Sequence, residues 1–313
     1  MDVRELANKV KEQIRNYIPK EYGELDIQAR STWKNNAEKI GITIRKESET
    51  IAPAFWIDEM EGSLEEICQG IARAYISQRE EIRGMDENVR QESSFITDYC
   101  RVKPQLRCRV VGIRNNEEML KETVHKKVLN LAVVPYILFE DLNGIANVTR
   151  GFTEIWGVSA SQVMKDAMKN MDRKEAMLVS MSDEFPFERI EIYTLLSKQG
   201  QYGSFWMLDR EKLREIGNAL GDFTILPSSI YETMILPDAE LSKMKIEGFE
   251  EMEEAVREMN ETEIPPEDRL SDTVYHYDAK RQILSVPLHE MEIPAKELPM
   301  AGRETMKKER RGR

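Results

Sequence analysis

Ser228 and Ser229 stand between two apolar runs in FTILPSSIYETMILP (residues 223–237), with Tyr231 and Glu232 close behind. A serine becomes a nucleophile when a neighbouring base takes its proton. The chain has three histidines for that duty: His125, His276 and His289. His276 is flanked by Tyr275 and Tyr277 in an alternating run that reads as a strand. Ser228, Ser229, Tyr231 and His276 are therefore the candidate residues for any catalysis. Against that reading, a nucleophile elbow needs glycines around its serine to permit a strained turn. The flanks here are Leu226-Pro227 and Ile230-Tyr231, without glycine. The stretch reads instead as a Pro-Ser-Ser corner between two strands.

Other chemistries find less support. No H-x-x-x-H, paired cysteine or D-x-D-x-D-G loop points to a metal. Neither G-x-x-x-x-G-K-[ST] nor G-x-G-x-x-G occurs, so no phosphate cradle and no cofactor is expected. Glu250, Glu251, Glu253 and Glu254 crowd one stretch, which reads as a solvated helix face. The three cysteines, Cys68, Cys100 and Cys108, have no framework spacing, which predicts a reducing cytoplasm. With 45 Lys/Arg against 57 Asp/Glu the net charge is -12, which disfavours binding to nucleic acid or an anionic membrane. No apolar run reaches the ~18 residues of a membrane span, and the charged N-terminus predicts no signal peptide.

The elements that would position these residues follow from periodicity. Val3, Leu6, Val10, Ile14 and Tyr17 recur at helical spacing before Pro19. LDIQA and GITIR alternate around an Asn35-Asn36 corner, and APAFWI makes a third short run. Ser63 and Glu66 form a capping box for a helix whose inner face carries Ile67, Cys68, Ile71 and Tyr75. Residues 83–94 are polar and aperiodic and read as a linker. Beyond them LRCRVVGI reads as a strand, LAVVPYILFE and GIANVT as a hairpin, and Ser159 caps a helix with a Val163, Met164, Ala167, Met168, Met171 stripe. IEIYTLLS and GSFWML read as two strands, Asp209 as a helix cap, and DTVYHYD with RQILSVP as a last hairpin.

Residues 238–269 hold twelve Asp/Glu and four Lys/Arg, yet Phe249, Met252, Val256 and Met259 keep a helical stripe through them. The seventeen methionines fill cores on this reading. The expected fold class is α+β, with short, mostly antiparallel hairpins packed on amphipathic helices. The expected organisation is a block over 1–90, a second over 91–287, and a disordered basic tail over 288–313.

RNYIPKEYGELDIQARSTWKNNAEKIGITIRKESETIAPAFWID resembles the N-terminal signature of a family of uncharacterised proteins from gut-dwelling, low-GC Gram-positive bacteria. LNLAVVPYILFED, WGVSASQVMKDAMKNM, the 223–237 stretch and RLSDTVYHYD resemble its later blocks, so the resemblance runs from about residue 5 to 287. It implies a bacterial cytoplasmic protein, often carried on mobile elements, and brings no activity or cofactor. Related sequences often hold histidine where Tyr231 stands, so chemistry built on that histidine would be missing here. The leading expectation is a non-catalytic binding or adaptor protein whose partner is another protein. The alternatives are an enzyme of unfamiliar type using Ser228, Ser229, Tyr231 and His276, or an acidic decoy of a nucleic-acid-binding protein built on residues 238–269.

Overall fold

Val3, Leu6 and Val10 share one side of helix α1 (Val3–Gln13), and Ala7, Val10 and Ile14 are fully buried. The helix tightens into a 3-10 turn over Ile14–Tyr17 just before Pro19, which has no amide hydrogen to continue it. A computed structural model describes residues 2–49, 52–79, 95–139, 144–181, 190–227, 229–244 and 248–302. The chain forms two units, Met1–Tyr99 and Cys100–Arg313. The expected linker, 83–94, lies outside the described residues.

In the first unit β1 (Asp26–Lys34) and β2 (Ala37–Arg45) are antiparallel, and Lys34 faces Ala37 across the turn. Asn35 and Asn36 are thus the whole turn, and Asn36 takes a φ of 61°, which asparagine tolerates. β3 (Ala54–Trp56) pairs with β2 on its other edge. The box on α2 (Leu64–Ser77) closes as expected: Glu66 N–H donates to Ser63 Oγ at 3.3 Å, and Ser63 N–H to Glu66 Oε2 at 2.7 Å. Ile67, Cys68, Ile71 and Tyr75 then pack with Ile42, Ile44 and the inner face of α1. Burying each large aliphatic or aromatic side chain there contributes about 1.5–3 kcal/mol. Cys68 is a small hydrophobe in this core, and burial raises its thiol pKa.

Beyond α3 (Tyr99–Val102), the second unit is built on two antiparallel sheets. The smaller joins β4 (Leu106–Gly112), β5 (Lys126–Val128), β6 (Leu131–Phe139) and β7 (Gly144–Asn147), with the almost wholly buried β6 paired to the other three. Helices α4 (Glu117–Glu122), α5 (Arg150–Trp156) and α6 (Ala160–Asn170) belong to this part of the chain. The larger sheet has the order β14-β13-β12-β10-β11-β9-β8. Its strands are β8 (Ala176–Ser180), β9 (Tyr193–Ser197), β10 (Phe223–Leu226), β11 (Glu232–Pro237), β12 (Tyr275–Asp278), β13 (Ile283–Val286) and β14 (Met291–Pro294). Helices α7 (Arg210–Leu220), α8 (Asp238–Met244) and α9 (Phe249–Glu263) complete an α+β fold.

Three expectations need correction. GSFWML is not a strand: Gly203–Leu208 is a 3-10 helix with every residue buried. β9 is paired on one edge with β8 and on the other with β11, so no ladder is left for it. The chain instead turns inward at Tyr202 (φ 45°) and lays Gly203 against backbone. The tail expected from 288 is folded as far as 302. Pro287 follows the end of β13 and Pro294 ends β14, while Ala295, Leu298 and Ala301 are buried. The basic residues after 302 lie outside the described residues. Third, Glu253 is not part of a solvated face. It is buried, accepts from Val274 N–H at 3.1 Å and faces His289 at 3.8 Å, so it docks α9 on the sheet.

Candidate functional site

The hairpin corner answers the serine question for Ser229; Ser228 lies outside the described residues. Ser229 Oγ accepts the backbone N–H groups of Tyr231 and Glu232, both at 3.2 Å. Its carbonyl accepts from the Ser204 hydroxyl, and its backbone bridges to Arg269. This hydroxyl closes a turn, as serine does when its side chain satisfies nearby amides.

His276 is not its base. Along β12 it stands opposite Thr224, near the start of β10, whereas Ser229 lies past that strand's far end. The imidazole Nε2 is 2.9 Å from Asp238 Oδ2, and Thr224 Oγ1 donates to Asp238 Oδ1 at 3.3 Å. Phe249 meets the ring edge-on. The Asp238 hydrogen bond raises the His276 pKa, against the opposing effect of burial. His125 is equally occupied, with Nδ1 3.1 Å from the Thr123 carbonyl. Among the described residues no group of acidic, histidine and cysteine side chains could hold a metal ion.

Tyr231 leads somewhere else. Its ring, 39% exposed, stacks on Tyr202 at 5.9 Å, and Tyr202 meets Tyr136 edge-on at 5.2 Å. Burial, with Asp268 nearby, pushes the Tyr231 pKa up to about 12, so its phenol stays neutral. The guanidinium of Arg109 lies 5.2 Å from the Tyr202 ring centre, an attractive cation–π geometry. Arg109 is buried and donates to Asn147 Oδ1 at 2.9 Å.

Tyr136, at the inner end of this stack, lines a cleft of about 150 Å³. β4 brings Arg107, the 3-10 turn Arg173–Glu175 brings Glu175, and the end of β9 with the loop after it brings Ser197, Gln199 and Gln201. Trp206 from the buried 3-10 helix completes one wall. Its indole Nε1–H is buried and has no hydrogen-bond partner. Burial holds the Tyr136 phenol well above its ordinary pKa, so it remains a neutral donor. Cys108 also lines the cleft, but burial raises its thiol pKa strongly, which denies it thiolate chemistry. The arrangement can hydrogen-bond and neutralise a small polar guest. Nothing in the sequence reading pointed here, because no two of these elements form a motif. The one signal was the polar Gln199-Gly200-Gln201 segment before a buried tryptophan.

The chain matches the model of a Family of unknown function (DUF5688) over residues 3–279 and belongs to that family. No curated protein and no solved structure matches it.

Proposed function

We propose that this member of a family of unknown function is a non-catalytic binding protein, an adaptor that acts in the bacterial cytoplasm as part of an accessory or mobile element. Its partner on this reading is another protein. One observation carries it: Ser229 and His276, the nucleophile-and-base candidates that the described residues include, are spent on structure. Ser229 Oγ holds two corner amides, and the His276 ring is engaged by Asp238. No helix among the described residues is long and apolar enough to cross a membrane, which is compatible with this setting. The decoy alternative loses one of its carboxylates, since Glu253 is buried against Val274.

The test is capture of the tagged chain from its native host at moderate salt, with proteins and nucleic acids both identified. A protein recovered in stoichiometric amount, and released by no nuclease, is the expected result. Recovery of the chain alone overturns the adaptor reading, and recovery of a partner that nucleic acid displaces favours the decoy.

A further inference from the structure

Arg107 and Glu175 line the same small cleft, yet neither forms an ion pair with the other or with any described residue. Arg107 Nη1 is fixed by the carbonyls of Pro104 and Leu106 at 2.8 and 2.9 Å, which leaves the rest of its fork unengaged. Glu175 is half-buried, and no described residue donates a hydrogen bond to its carboxylate. Asp172 also lines the cleft, its carboxylate accepting from Lys174 N–H at 3.0 Å, so Arg107 and Glu175 are the partly buried charges there without an ion partner among the described residues. Beside them Trp206 buries an indole N–H with no acceptor, although it is only 1% exposed. A buried donor of this kind costs free energy unless something satisfies it.

We propose that this cleft binds a small zwitterion of amino-acid size, its carboxylate on Arg107 and its ammonium on Glu175. The cleft, about 150 Å³, is smaller than the ~300–1,000 Å³ of sites for drug-sized ligands, which suits a guest of amino-acid size. Arg107 presents a planar fork suited to a carboxylate. Gln199, Gln201 and Ser197 offer donors and acceptors for a short polar side chain. Tyr136 lines the cleft, and Tyr202 and Tyr231 continue a ring stack from it. The site deepens the binding-protein reading and rests on it: the guest is recognised and left unchanged, and its occupancy would report to the protein partner.

Calorimetric titration of the full chain with L-alanine, L-serine, L-threonine, L-asparagine and L-glutamine tests the site, with acetate and methylammonium as single-charge controls. At least one amino acid should bind one-to-one with a Kd below about 1 mM. Each control should bind at least about tenfold more weakly, because it satisfies one charge of the two. Glu175→Gln should cost about tenfold or more, and Arg107→Gln likewise. Because Arg107 also holds two carbonyls, an unfolded Arg107→Gln chain leaves Glu175→Gln to decide. Absence of binding by all the amino acids to folded protein overturns the site, as does binding that Glu175→Gln leaves unchanged. Partner capture without amino-acid binding would sink the site and spare the binding reading; chemical turnover of a bound amino acid would do the reverse.

Discussion

Asp209→Ala removes one side chain that serves three segments of the second unit. Asp209 is fully buried. Its Oδ1 accepts from Lys212 N–H at 2.9 Å, which caps α7, and from Arg173 Nε at 2.9 Å. Oδ2 accepts from Ala301 N–H at 2.6 Å, which ties the final described stretch of chain to the fold. Arg173 in turn donates to the Ala301 carbonyl. Loss of a cap alone costs about 1 kcal/mol. A hydrogen bond to a charged group adds about 1.5–3 kcal/mol, and breaking a buried ion pair costs about 3–5 kcal/mol in all. The Arg173 side chain is one-third exposed and can turn to water, so the expected loss is at the lower end, about 3 kcal/mol. Urea unfolding followed by tryptophan fluorescence and far-UV circular dichroism measures it, the two probes guarding against separate unfolding of the two units. Hydrogen exchange should also quicken over residues 295–302, which a mere cap would not affect. A loss of about 1 kcal/mol or less, with unchanged exchange there, would refute the three-segment role and leave only the cap.

Gly203→Ala should destabilise the second unit by about 3 kcal/mol or more, because a Cβ there would lie 2.3 Å from Tyr231 O and 2.5 Å from Ser197 N, backbone atoms that cannot swing aside. An unchanged melting temperature would show that the buried 3-10 helix is not wedged as described. The His276–Asp238 pair predicts a pH dependence of definite sign. The folded-state pKa of His276 is raised, so its contribution is fully present below the ordinary histidine value of about 6.5 and is lost as pH rises through the raised one. The stability gap between the native chain and Asp238→Asn should therefore shrink as pH rises from about 6.5 through the raised His276 value, and His276→Gln should flatten it; a pH-independent gap would sink the argument.

What the sequence disclosed was whatever is decided within a few residues. The Asn35-Asn36 turn, the Ser63/Glu66 box and the 223–237 hairpin are local contests between backbone angles and short side chains. The α+β class with antiparallel pairing follows from the same patterns. GSFWML was misread because its apolar run suits a strand or a buried helix equally. The deciding facts are that β9 is paired on both edges and that Gly203 touches Tyr231, both remote in sequence. The stretch after Pro287 was misread because prolines signal breaks, whereas β14 is held by its ladder to β13 and Ala301 by an aspartate 92 residues away. The cleft was invisible for the same reason, since it gathers residues from Arg107 to Trp206.

Charge separates the parts of this molecule that serve the fold from the part that is left open. Lys39 is buried and meets Asp58 at 2.9 Å; Asp209 is buried and meets Arg173; Glu253 is buried and accepts a backbone amide. Each such group is retained because a partner offsets the cost of removing it from water. Arg107 and Glu175, each only partly buried, line one cleft with no ion partner among the described residues. The same contrast places Tyr231 and His276. His276, the obvious chemical residue by type, is engaged by Asp238 and so belongs to the scaffold. Tyr231 reaches the cleft only through Tyr202 and Tyr136. A histidine there would still present a flat ring to Tyr202, but one able to carry charge close to the Arg109 guanidinium. A change at 231 would thus act on the cleft through the Tyr202–Tyr136 ring contacts.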